Sequence, residues 1–286
     1  MAMKITARIN TFNEADHIAA ALESVAWADE LLVVDSDSTD ATVEIARRMG
    51  ARVETHPFRG YGEKHNFADS LCAHDWVLAL DADERVTPQL RAAIAAVQAR
   101  GPQADAYRMA RRTWYLDRWI RHSGWYPDYQ TRLYRRAVTR WAGEPPHEAP
   151  KVRGRVATLS GDLLHYTRRN VGEHIAVMNR YTDMAVAARA EAGRRSSLAR
   201  LVLAPPWTFL RSYLFRQGFR DGRPGLILAY LAANYVLVNE AKLLEHDRAA
   251  GARPEVAPPG ERQQVPGGGG DAACPTAPQP SHHARH

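Results

Sequence analysis

The residues that most restrict the fold are Trp76 to Leu80, an apolar run that ends in Asp81-Ala82-Asp83-Glu84. A short apolar run bounded by polar residues reads as a buried strand. Side chains two apart on an extended segment point the same way, so Asp81 and Asp83 are expected side by side at the strand's carboxyl end. In open α/β sheets that end is where ligands bind. Two carboxylates on one face repel unless something positive lies between them. A hard divalent cation fits, and Mg²⁺ is usually shared with substrate phosphates. The stretch therefore reads either as a metal–diphosphate site or as a charged turn that closes a strand.

The chain around it alternates. Lys4 to Ile9 reads as a first strand, followed by the loop Asn10 to Glu14 and a helix to about Val25, with Asn13 as its cap. Leu31 to Val34 is a second buried strand ending in Asp35, and Ser38 or Thr39 caps the helix that closes at Gly50. Ala51 to Thr55, a helix from Gly60-Tyr61-Gly62 to Leu71, and the Trp76 strand follow. Thr87-Pro88 then opens a helix that ends near Gly101-Pro102. Four strand–helix repeats imply an α/β fold, a mostly parallel sheet with helices on both faces. No GxGxxG follows strand one and no GxxxxGK[ST] occurs, which argues against a dinucleotide-binding Rossmann domain and a P-loop NTPase.

From about Asp105 the texture changes. Tyr107–Arg111 and Gln130–Arg135 look like strands. Between them, Trp114 to Asp128 is dense in aromatics, arginine and turn residues, suited either to stacking sugar rings or to an aromatic mini-core. His147-Glu148 sits in a Pro-rich loop and is not an HExxH zinc motif. Val171 to Ala192 reads as a helix stopped at Gly193. Arg194 to Arg223 then holds seven arginines against one acid, Asp221, interleaved with large apolar residues. Gly225 to Val238 carries no charge, too short a run to span a bilayer and suited to a buried or interfacial helix. Basic residues beside amphipathic helices suggest an anionic membrane surface; the alternative is a helical subdomain with a solvated basic face. No stretch reaches about 18 apolar residues, so no membrane-spanning helix is expected.

Net charge is +6 over 286 residues, which suits an anionic partner. A nucleic-acid partner is not expected, because the arginines are interleaved with large apolar side chains. Two cysteines rule out a disulfide framework, so the expected compartment is cytoplasmic, peripheral on the inner face of the cytoplasmic membrane. The expected organisation is residues 1–170 as the α/β domain (nucleotide half about 1–104, acceptor half about 105–170), 171–248 as an amphipathic helical region, and 249–286 as a disordered tail.

Three motifs then stand in order: Thr11-Phe-Asn13-Glu14, Val33-Val-Asp35-Ser-Asp-Ser-Thr-Asp40-Ala-Thr42, and Leu80-Asp81-Ala-Asp83-Glu84. Together they resemble family 2 glycosyltransferases of the GT-A fold over roughly residues 3–150. His122-Ser-Gly-Trp125, Arg132-Leu-Tyr-Arg135-Arg136, His147-Glu148, Gly161-Asp-Leu-Leu-His165-Tyr166 and Gly218-Phe-Arg-Asp221-Gly extend the likeness to about residue 247. They resemble the branch that includes lipopolysaccharide inner-core glucosyltransferases. The resemblance implies a nucleotide-sugar donor, a divalent metal (Mg or Mn), and a lipid-linked or lipopolysaccharide saccharide acceptor. It implies that Thr11, Asn13, Glu14 and Asp35 hold the base and ribose, with Lys64 or Asn66 touching the nucleotide. Asp83 would ligate the metal and Asp81 would lie toward the ribose and the metal shell. The family's second strand often ends in two adjacent acids, whereas here the second position is Ser36.

The reaction such residues suit is inverting sugar transfer. Charge growing on the leaving diphosphate needs the metal and cationic donors, for which Arg132, Arg135 and Arg136 are candidates. A carboxylate must take the acceptor's proton, Glu148 first and Asp128 second. Two rivals are a sugar-phosphate nucleotidyltransferase, whose Gly-rich basic loop after strand one is missing here, and a membrane-docked scaffold without chemistry, against which the Asp81/Asp83 pair stands.

Overall fold

A computed structural model of the chain describes residues 3–143, 148–168 and 170–251. His147 and residues 252–286 of the tail lie outside the described residues. The first half runs β1 (Ile5–Thr11), α1 (Ile18–Ser24), β2 (Glu30–Asp35), α2 (Thr42–Arg48), β3 (Arg52–Thr55), α3 (Tyr61–Leu71), β4 (Trp76–Asp81), β5 (Glu84–Val86) and α4 (Pro88–Arg100). The second half of the sheet region holds β6 (Ala106–Tyr115), β7 (Arg118–Trp119), β8 (Asp128–Arg135), β9 (Thr139–Ala142), β10 (Ala149–Val152) and β11 (Val156–Arg168). Helices α5 (Val171–Glu191), α6 (Leu198–Leu210) and α7 (Gly222–Gly251) follow, with a π-helical turn (Arg211–Phe215) and a 3-10 turn (Gly218–Asp221) before α7.

The main sheet is ordered β3-β2-β1-β4-β8-β6-β11-β5, with β7 paired to β6. Strands β1 to β4 run parallel; β8 enters antiparallel between β4 and β6. The two-residue period of a strand then sorts side chains into two layers. Ile5, Ala7 and Ile9 of β1 join Trp76, Leu78 and Leu80 of β4 in the core that includes α1 and α4 residues. Val77 and Ala79 face the other layer with Ala68 of α3, Tyr134 and Trp141. The same alternation turns Arg8 into the α3 layer, beneath the carboxyl ends of the strands.

Arg8 is fully buried. Its Nε donates to Asp69 Oδ1 at 2.8 Å, Nη1 contacts His65 Nδ1 at 2.8 Å and Nη2 donates to Tyr134 Oη at 2.8 Å. Tyr134 Oη donates to Asp69 and accepts from Trp141 Nε1 at 2.9 Å. Burial alone would depress the guanidinium, but the Asp69 carboxylate outweighs it and the arginine stays charged.

Helix starts show where side-chain reading fails. Thr87 does cap α4, its Oγ1 accepting from Leu90 N at 3.2 Å. Asn13 does not cap α1, which begins at Ile18; it adopts φ +53° and its Oδ1 accepts from Thr39 N at 2.8 Å. Ser38 and Thr39 do not cap α2 either, because both hydroxyls serve the loops and α2 begins at Thr42. The long strand β11 carries a bulge at Gly161, where φ is +94° and a Cβ would lie 2.4 Å from Leu90 N. Only glycine lets α4's first turn approach so closely.

Gly218–Ala249 is long and apolar enough to cross a membrane by length and composition, where the sequence reading expected no such helix. The uncharged run continues helically on both sides, which adds the length. Leu228, Ala229 and Leu243 are buried, and Glu240 accepts from Arg189 of α5 at 2.8 Å, so α7 packs within the fold.

Replacing Arg8 with Met should cost about 3–5 kcal/mol, because Asp69 would be left buried without its cation. Urea unfolding of both proteins measures the difference.

Candidate active site

At the carboxyl ends of β1, β2 and β4 lies a cleft of about 1090 Å³. One wall includes Asn10, Thr11, Glu14, Ser36, Lys64 and His65; the other includes Trp125, Asp128, His165, His174 and Tyr181. The last two come from α5, so the C-terminal helices form part of the site. The described residues of all these elements belong to one compact unit.

Asp81 and Asp83 both reach the cleft, but not as neighbours on a strand. β4 ends at Asp81, and Ala82-Asp83 form a turn into β5, so the alternation argument stops one residue early. Each acid has its own neighbour. Arg132 of β8 donates from Nη2 to Asp81 Oδ2 at 2.6 Å and to buried Glu84 Oε1 at 2.7 Å. Burial would raise the Asp81 carboxyl, but Arg132 holds it well below the usual range, although its side chain is 39% exposed to the cleft. Asp83 Oδ2 lies 3.2 Å from His165 Nε2, and Thr113 Oγ1 lies 3.4 Å from His165 Nδ1. A carboxylate oxygen and an imidazole nitrogen side by side on a cleft wall fit a divalent cation. Among the described residues no group of three or more His, Cys, Asp or Glu gathers as a cage, so further ligands would come from substrate and water. His165 was visible in the sequence as part of a motif, yet nothing local marked it as facing Asp83; β11 register does that.

The floor of the cleft beside β1 and β2 is polar and under-bonded. Thr11 Oγ1, Ser36 Oγ and Asn10 Oδ1 are buried with no hydrogen-bond partner among the described residues. Orphaned polar atoms at strand ends are costly unless a ligand or water satisfies them. Lys64 donates from Nζ to Thr11 O at 2.8 Å, and burial pulls its ammonium down to about 8, with Asp35 and Asp81 opposing. His65 stacks on Trp141 at 3.6 Å. Its Nδ1 meets Arg8 Nη1 and Asn10 Nδ2, two donors, so the proton resides on Nε2. Burial and Arg8 push its pKa down to about 2, and the ring is neutral.

Several expected residues lie elsewhere. Asp35 is buried with both oxygens engaged, by Ser38 N at 2.8 Å and by Ser38 Oγ; its neighbour Ser36 is the one on the cleft wall. Asn13 braces Thr39, as above. Asn66 clamps the Trp141 backbone through two 2.9 Å bonds. Arg135 pairs with Asp75 and Asp105, and Arg136 reaches Asp69 O. Because β8 is antiparallel to β4, these two arginines sit at the end of β4 opposite Asp81. Arg111 takes the cationic place instead, donating to Asp128 Oδ2 at 2.7 Å and lying 3.3 Å from Glu84 Oε1. Glu148 lies at the amino end of α3, where Oε1 accepts from Gly62 N at 3.3 Å and Oε2 is buried without a partner among the described residues. Glu148 does not itself line the cleft; Tyr61, next to Gly62, does. Of the aromatic stretch, Tyr115 and Ile120 form a small core with Leu228, and Trp125 packs against that core and also lines the cleft. The mini-core reading of that stretch is the one the packing bears out.

Residues 7–154 match the profile of Glycosyl transferase family 2. The chain is a family 2 glycosyltransferase. The glycosyltransferase is 30% identical over 262 residues to LpsC of Rhizobium meliloti (strain 1021), a lipopolysaccharide core biosynthesis glycosyltransferase, spanning 89% of this chain and 96% of that protein. An uncharacterized glycosyltransferase of Rickettsia felis is 30% identical over 254 residues, 85% of this chain and 90% of the relative. Among solved structures, S. aureus TarS 1–349 in complex with UDP-GlcNAc aligns with 87% of this chain and 92% of its own, at 17% identity and a TM-score of 0.47. The sheet order with helices on both faces is that of the GT-A type, as the motifs led one to expect.

Lys64 makes a measurable pH signature. Its folded pKa is near 8 against an ordinary value of 10.5, so between these values the unfolded chain binds the extra proton and stability rises with pH. Relative to Lys64→Met, the glycosyltransferase should gain about 3 kcal/mol from pH 8 to pH 10.5. Chemical unfolding of both across that range tests it; parallel profiles would remove the assignment.

Proposed function

We propose that the protein transfers a hexose, glucose by family expectation, from a UDP-linked donor to a saccharide of the lipopolysaccharide inner core, with inversion at the anomeric carbon. The observation that carries the reading is the cleft floor. Orphaned Thr11, Ser36 and Asn10 atoms suit a nucleoside, and Asp81, Asp83 and His165 lie where its diphosphate would end. The name of the LpsC relative supports the acceptor class. Such acceptors are lipid-linked, so the protein works in the cytoplasm as a peripheral protein at an anionic membrane surface.

Asp83 and His165, with Asp81 beside them, would hold a divalent cation, Mg²⁺ or Mn²⁺, which when bound neutralises the diphosphate. Lys64 adds a cation over the same phosphates. Arg132 keeps Asp81 ionised and oriented. As the acceptor oxygen bonds to the anomeric carbon, the bond from that carbon to the diphosphate oxygen breaks, and the acceptor's proton passes to a carboxylate. Asp128 lines the cleft, but Gln130 and Arg111 occupy both of its oxygens. Glu148 stands behind Tyr61 rather than on the cleft wall, but keeps one oxygen without a partner among the described residues. Glu148 is therefore the proposed base, and Asp128 the residue that holds Arg111 against the cleft.

Glu148→Gln should lower transfer by about 10²–10⁴-fold with donor binding unchanged, while Asp128→Asn should lower it less. The reverse ranking in steady-state assays would move the role to Asp128. Donor class is read by thermal shift with UDP, GDP, CMP and their sugars, with and without Mn²⁺. A ligand at a hundredfold excess over its Kd stabilises by about 2.7 kcal/mol. A UDP shift that needs Mn²⁺ and disappears in Asp83→Ala is expected; no shift with any nucleotide would overturn the reading.

A further inference from the structure

Between Arg194 and Arg223 the only acid is Asp221, and the fold turns it inward. Asp221 is 4% exposed and accepts from His122 N at 2.8 Å, His122 Nδ1 at 2.9 Å and Arg121 N at 3.2 Å. Ser123 N donates to Arg216 O at 2.9 Å. Arg216 also covers Gly124, where φ is +81° and a Cβ would lie 2.2 Å from Nη1. The loop held in this way leads directly to Gly124, Trp125, Pro127 and Asp128 on the cleft wall.

The opposite face of the same segment is bare and apolar. Leu198 is 74% exposed, Leu203 66%, Trp207 55%, Phe215 69% and Phe219 50%. Arg194, Arg211 and Arg220 of the same segment are exposed. Asp221 is committed to the loop, and among the described residues the acids of α7 answer only Arg200 of this segment, through Glu240 at 3.4 Å, and Arg195, beside Asp247. Apolar side chains rimmed by cations of one sign match an anionic lipid surface. A second copy would bring the same cations face to face and is disfavoured.

We propose that residues 198–219 seat the protein on an anionic bilayer, and that Asp221 fixes the acceptor-side cleft wall to that seat, so that the cleft receives its acceptor at the bilayer surface. The word acceptor rests on the glycosyl-transfer reading; the seat and its link to the loop do not.

The full chain is sedimented with vesicles of phosphatidylcholine alone or mixed with phosphatidylglycerol, and exchange of backbone amides in residues 121–127 is followed by mass spectrometry. Binding is expected only with phosphatidylglycerol, weakening with salt, and roughly tenfold weaker or worse in F215S/F219S. Exchange of 121–127 should slow on the vesicles. In D221N, and in H122Q if D221N does not fold, vesicle binding should persist while that slowing is lost. Equal binding to uncharged vesicles, no binding, or unchanged binding of F215S/F219S overturns the seat. So does a dimer on gel filtration that the double variant disperses, since a second copy would then cover the face. Slowing that survives in D221N or H122Q overturns the link. The UDP thermal shift, measured on the same samples, reports separately on the donor site.

Discussion

The buried Arg8 guanidinium is the constraint on which the rest of the fold depends. It stands on β1, yet its partners come from α3, β8 and, through Tyr134, β9. Taking a guanidinium out of water is expensive, and each partner is needed to offset it. Asp69 supplies the charge; Tyr134 and His65 occupy the remaining donors. Satisfying Arg8 therefore fixes how β8 and β9 dock on β1 and α3. It also fixes a protonation state: with Nδ1 facing Arg8 and Asn10, His65 meets the cleft as a neutral ring.

Above this layer the cleft is a set of charges already largely paired. Asp81 and Glu84 share Arg132, and Glu84 and Asp128 share Arg111. That changes the argument made from two adjacent acids. Their repulsion does not by itself demand a metal, because Arg132 answers Asp81. What points to a cation is Asp83 with His165, a donor pair assembled from a β-turn and a strand far away in sequence.

Legibility follows the range of the interactions. The first half was readable because apolar periodicity is local: the ranges of β2, β4, α3 and α4 fall within a residue or two of expectation. Thr11, Glu14, Lys64, Asp81, Asp83 and Asp128 were expected in a site and line the cleft. Asp35, Asn66 and Arg135 were not separable from them by residue type. The same carboxylate or amide that binds a ligand also satisfies a loop, and only the fold shows which task it has. Asn13 as helix cap failed for that reason, since its oxygen had a nearer partner in Thr39. β11 escaped notice because Gly161 breaks its alternation. Without β11, neither His165 nor Thr167 could be assigned a direction.

The cleft also shows why a boundary at the end of the sheet would separate parts that act together. The family match stops at residue 154, and what it encloses supplies one wall of the cleft: Thr11, Ser36, Lys64, Asp81 and Asp83. His165, Thr167, His174 and Tyr181 complete the wall from beyond it. His174 is set by Tyr115 Oη at 3.0 Å, and Tyr115 by the small core it shares with Leu228 of α7. A substitution on α7 can therefore reach the cleft through two packed side chains, Tyr115 and His174. The walls of the cleft are thus carried by stretches on both sides of residue 154, joined by an aromatic core.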